Sequence, residues 1–132
     1  MTGVWIAVGL LAFAAALVLL GVYATMRARG ASGSARAKVE KALQAAISQQ
    51  DPVRRVLAAD AVLDLALTEL GFRGSLGEKL KKAGPRIPTI QAVWDAHKLR
   101  NRLAHEHDAS VTQAETDRAV RILENAIRTL LQ

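Results

Sequence analysis

A chain of 132 residues has room for one small domain, and the absence of cysteine excludes a disulfide framework, a thiolate nucleophile and Cys-ligated zinc. Its formal charge of +6 comes from 18 Lys and Arg against 12 Asp and Glu, all of them after residue 26. A basic domain suits an anionic partner, either a membrane inner leaflet or nucleic acid, although ordinary solubility accounts for the same charge.

From Val4 to Thr25 the chain carries no charge and is rich in Leu, Ala and Val. As a helix rising 1.5 Å per residue this run spans about 33 Å, enough to cross a bilayer. Trp5 and Tyr23 sit near its two ends, where aromatic rings favour the membrane interfaces. Arg27, Arg29, Arg36 and Lys38 follow, and no charged side chain precedes Val4, so the positive-inside rule predicts an outside N-terminus and a cytoplasmic remainder. A cleaved signal peptide is the competing reading, with Val22-Tyr23-Ala24 as its small-residue site. It lacks a basic n-region, and the downstream arginines oppose export. The expected organisation is an uncleaved anchor over 1–26, a flexible tether over 27–35 built on Gly30-Ala31-Ser32-Gly33-Ser34, and a helical domain over 36–132.

Every later signal is helical. Ser34 is expected to cap a helix reaching about Gln50. Asp51-Pro52 pairs an N-cap with a proline at the first helical position and opens a helix that stops at Gly71. Ser75-x-x-Glu78 is a capping box for a short helix ended by Gly84, and Pro85 and Pro88 bracket a loop. A further helix starts near Thr89, and Thr112-x-x-Glu115 opens the last one, through to about Leu130. No run alternates with period two long enough to be a strand, so the fold class is all-α: a transmembrane helix followed by a bundle of four or five helices.

Trp94 to Glu106 reads W-D-A-H-K-L-R-N-R-L-A-H-E. With Ile90 at zero and about 100° per residue, Gln91, Asp95, Arg102 and Glu106 form a solvated sector, with Lys98 at its edge. Arg100 falls opposite, at about 280°, beside Val93 and the Ala92/Ala96/Leu99/Leu103 strip. His97 and Asn101 share the inner half, and His105 lies at its edge. An inward guanidinium stays charged and needs a carboxylate, a phosphate or a wet cleft. On the preceding long helix, apolar nearly all round, Asp60 and Asp64 stand at i, i+4 and are costly to bury unpaired. One of these two acids is therefore expected to orient Arg100 or His97. Arg100 in a plain internal ion pair and His97 as a satisfied core histidine are the structural alternatives. Ile90, Val93 and Trp94 form an apolar patch suited to an interface between two copies. His105-x-His107 lacks a third placed ligand, so no metal and no cofactor are expected. Lys79-Leu80-Lys81-Lys82 reads as a solvated face rather than an RNA site, with contact to anionic lipid as the alternative. With only Phe72 and Trp94 aromatic after the anchor, no stacking platform for single-stranded RNA is expected.

Arg100-Asn101-Arg102-Leu103-Ala104-His105 resembles the signature of the HEPN superfamily, small α-helical bundles carrying Arg, a polar residue and, a few positions on, His. The resemblance extends over about residues 36–130, including Ala59-Asp60-x-x-Leu63-Asp64-x-x-Leu67-x-x-Leu70-Gly71, and is to short bacterial proteins with one membrane helix. It implies an inner-membrane protein, a homodimer and, in catalytic members, metal-independent endoribonuclease activity at a cleft between two facing motifs. His105 would then act as general acid or base, Arg100 would bind the scissile phosphate and Asn101 would orient one of them. Many members of the superfamily are instead non-catalytic and serve as nucleotide-binding or protein-interaction modules, and the resemblance leaves an antitoxin or another protein open as a partner without identifying it. Arg100 and His105 lie about 140° apart on an ideal helix, so shared work requires a long reach or a second protomer.

Overall fold

The computed structural model covers residues 1–132, with the side chains of Thr2 and of residues 25–32 outside the described set. It is all-helical, with no strand among the described residues. The helices are α1 (Thr2–Ile47), α2 (Pro52–Glu69), α3 (Leu76–Ala83), α4 (Ile90–His105) and α5 (Gln113–Leu130), with a 3-10 turn at Gly84–Arg86. Two compact units divide at Ser34/Ala35. The tether expected over 27–35 falls largely outside the described side chains. Ser34, expected to cap a helix, lies inside α1.

In the first unit, Gly3–Ala24 has a mean hydropathy of 2.6 with none of it buried. Its large apolar side chains, from Val4 and Trp5 to Val22 and Tyr23, all face outward. The run is long and apolar enough to cross a membrane.

The second unit has its own core. Val39, Leu43 and Ala46 recur at helical spacing and bury one stripe of α1. Helix α2 is the centre, packing against α3, α4 and α5, which is why its apolar residues run nearly all round it. The Asp51 carboxylate accepts from the Arg54 amide at 2.7 Å, and Pro52 occupies the first turn where a missing N–H costs nothing. At the other end Gly71 turns at φ +93°, letting the Phe72 N–H reach the Leu67 carbonyl at 3.0 Å. Both capping boxes form, Ser75 with Glu78 and Thr112 with Glu115. Gly84 does not stop its helix in a left-handed conformation. Its φ is −45°, and the chain tightens there into the 3-10 turn.

Leu63 is fully buried on α2, so Leu63→Ala should lower the unfolding free energy of the second unit by about 2–5 kcal/mol. Leu19→Ala, on the outward-facing run of the first unit, should leave the same transition within about 0.5 kcal/mol of wild type. Urea denaturation of the full chain in detergent, followed by circular dichroism, distinguishes the two. Equal effects would contradict a self-contained core.

Candidate functional site

The polar side chains of α4 converge on one carboxylate. Asp60 lies on the buried face of α2 with 4% of its side chain exposed, and His97 Nδ1 lies 3.0 Å from Oδ1 and 3.2 Å from Oδ2. Arg100 Nε stands 3.4 Å from Oδ2. That contact is one of charge, because the Nε–H is not aligned on the oxygen and has no hydrogen-bond partner. Arg100 Nη1 donates to Asn101 Oδ1 at 3.1 Å, and Asn101 Nδ2 faces His97 Nε2 at 3.4 Å. The four side chains close a ring: carboxylate, imidazole, amide, guanidinium, and back to the carboxylate. The ring assigns the tautomer of a neutral His97, with Nδ1–H donating to Asp60 and Nε2 accepting from the Asn101 amide. Trp94 meets the His97 ring edge-on at a centroid distance of 6.2 Å.

Burial raises the Asp60 carboxyl above the usual aspartate value. The His97 hydrogen bond and the charges of His97 and Arg100 pull it down, and Asp64 one turn away pushes it slightly further up. Desolvation wins because the carboxylate is almost wholly enclosed while much of the Arg100 charge remains wet, its side chain being 33% exposed.

Asp64 does not share this work. Its Oδ1 accepts from Lys79 Nζ at 2.7 Å, and the same ammonium donates to Thr68 Oγ1 at 2.7 Å. Lys79 is therefore buried and ties α3 to α2, contrary to its reading as part of a solvated run. The signal for it was present: Leu76, Lys79, Leu80 and Ala83 fall on one face of a short amphipathic helix.

An open cleft of about 540 Å³ adjoins the ring, lined by Asp60, Ala61 and Asp64 of α2, residues 74–77 at the start of α3, and His97 and Arg100 of α4. The α3 side of this cleft was not anticipated. Gly77 closes on Trp94, where an added Cβ would stand 3.7 Å from the indole. A second, mostly apolar groove of about 300 Å³ lies between α4 and α5, over Ala92, Ala96, Leu99, Ala119 and Ile122.

His105 is the last residue of α4, exposed, outside the cleft and, among the described residues, without a hydrogen bond or ion pair. Within one chain it does not meet Arg100. The expected interface patch changes too: Val93 is fully buried in the core and presents no surface, while Ile90 and Trp94 are half-buried. His107, Glu106 and Asp108 are exposed, and among the described residues no three His, Asp or Glu converge as a metal site.

No family model, curated protein or solved structure matches the chain. The chemistry of the ring therefore rests on its own geometry. A half-wet guanidinium, held from behind by Asp60 and from the side by Asn101, has N–H donors left over, and its planar fork can match two oxygens of an oxyanion such as a carboxylate or a phosphate.

A carboxyl whose folded-state pKa is raised binds its proton more tightly in the folded chain. Its contribution to stability is thus fully present below the unfolded value and lost as pH rises through the folded value. For Asp60 that window opens upward from 3.8. The stability of wild type minus that of Asp60→Asn should therefore fall as pH rises across the window, as read by urea denaturation at stepped pH. A difference that grows with pH would show instead that ion pairing outweighs burial.

Proposed function

We propose that this chain is a membrane-anchored HEPN-like protein whose helical bundle cleaves RNA without a metal, at a cleft completed by a second copy. The anchor is Gly3–Ala24, and the arginines after it favour a single pass through a bacterial inner membrane with the N-terminus outside and the bundle in the cytoplasm. The observation that carries the reading is the setting of Arg100: a guanidinium fixed by Asp60 and Asn101 on the rim of an open cleft, with donors left for a phosphate. RNA supplies its own nucleophile, the 2′-hydroxyl. The enzyme needs to move protons and stabilise charge on phosphorus, and an exposed imidazole, which can both give and take a proton, suits the first task. With His105 outside its own chain's cleft, a homodimer would bring one protomer's His105 to its partner's Arg100.

A second reading has its own support. Arg100 is already paired with Asp60, and His105 is engaged with nothing, which suits a non-catalytic module that binds a nucleotide or a protein partner in the cleft. Mixed RNAs incubated with the full-length protein in detergent and excess EDTA separate the two. The nuclease reading expects products ending in 2′,3′-cyclic phosphate, with His105→Ala reducing the rate by about 10²–10⁴-fold. Inert but folded wild type on every RNA, with nucleotide binding lost in Arg100→Ala, would establish the binding module and overturn the nuclease.

A further inference from the structure

The net charge of the chain is unevenly placed. Of its 18 Lys and Arg, four lie within 27–38 and four within 79–94, and neither run contains an acid. The ten remaining cations are outnumbered by all 12 acids. The excess positive charge is thus held entirely in two segments. One directly follows the apolar span. The other is the surface made by α3 and the 3-10 turn.

That surface is fastened to the core of the bundle. Leu80, Ala83 and Ile87 are buried and fix it to the core, and Pro85 and Pro88 restrict the backbone between them. Lys79 is turned inward onto Asp64, whereas Lys81, Lys82 and Arg86 are exposed and form no ion pair or hydrogen bond among the described residues. Lys81 and Lys82 are in the last turn of α3, and Arg86 ends the 3-10 turn that follows directly. The nearest acid in sequence, Glu78, is engaged chiefly in the capping box, where its carboxylate accepts from the Ser75 amide at 2.7 Å, and the charges of Lys82 and Lys81 bear on it less strongly than that hydrogen bond. Elsewhere exposed charges are mixed or paired, as in Arg128 with Glu124 and Glu40, Arg55 with Asp117, and Lys38 with Glu69.

We propose that Lys81, Lys82 and Arg86 form a docking surface for anionic lipid headgroups, by which the bundle lies against the bilayer that anchors it. This rests on the membrane anchoring proposed above. Lipid is the favoured occupant because it is always within reach: the residues between Ala24 and Ala35 span at most about 40 Å. At such an effective concentration even a weak contact is populated. A cation near an anionic leaflet shifts the docked-to-free ratio by about fivefold, so three together shift it by about a hundredfold. The contact should weaken at high salt, because these side chains are solvent-exposed.

The chain has no cysteine, so a single spin label can be placed cleanly. Thr89, exposed beside the patch and making no side-chain capping bond, is the reporting position, and exposed Asn125 on α5 is the control. Full-length Thr89→Cys and Asn125→Cys are reconstituted in nanodiscs of phosphatidylcholine, with or without phosphatidylglycerol. Label mobility and accessibility to a water-soluble nickel chelate are then measured. The expected result is slowing and shielding at position 89 alone, only with phosphatidylglycerol, reversed by salt and by the added substitutions Lys81→Glu, Lys82→Glu and Arg86→Glu. Circular dichroism of that variant confirms that it folds. No lipid response at 89, an equal response at 125, or a response to added RNA but not to phosphatidylglycerol would each overturn the proposal. Protein that fails to co-elute with nanodiscs would sink the anchor itself, an outcome distinct from loss of docking.

Discussion

Asp60 is the constraint around which the candidate site is arranged. A carboxylate enclosed on the central helix must be met by donors, and α4 meets it with His97 and Arg100, one helical turn apart. Asn101 then joins the two at their far ends, so neither side chain turns without breaking a contact of another. Polar rings of this kind add little net stability compared with apolar packing, but they hold geometry. Here they hold a guanidinium on the edge of a cleft.

The neighbouring acid shows how such a surface divides its charges. Asp60 and Asp64 are one turn apart on α2, and two cations on the same pair would leave a dense, strained cluster. Instead Asp64 takes Lys79 from α3, Asp60 takes Arg100 from α4, and the cleft opens between the two helices that supply the cations. The ion pair at Lys79 therefore positions the α3 wall, and the ring at Asp60 positions the α4 wall. Both walls are set by α2, the central helix of the bundle.

Placement also frames the proposed chemistry. Arg100 lies inside the chain's own cleft, and His105 lies at the exposed end of the same helix. Proton transfer and phosphate binding at one substrate then require either a second copy or a different histidine. His97 is nearer, but its two nitrogens are already occupied by Asp60 and Asn101. The proposed homodimer would reconcile the motif with the fold, and the proposed tethering to a common bilayer would raise the local concentration at which two copies meet.

Much of this was legible in the residues alone. Charge-free length defined the apolar helix; Asp51-Pro52, Ser75-x-x-Glu78 and Thr112-x-x-Glu115 marked helix starts because capping is a local interaction between residues a few positions apart. Periodicity placed Arg100 inward and predicted an acidic partner on α2. Packing decided the rest. Which of two acids took Arg100, whether Lys79 was buried, and whether Val93 lay on the surface or in the core depended on the angle at which α3 and α4 meet α2, a long-range property that no local pattern contains. Gly84 does end α3, as its sequence context suggested, but in a right-handed conformation that leads into a 3-10 turn. Sequence by itself determined the helices, their caps and the need for a charge partner, since hydrogen bonding and amphipathicity act within a few residues. Only the tertiary structure decided who the partners are and where the cleft opens, since those follow from how whole helices stack.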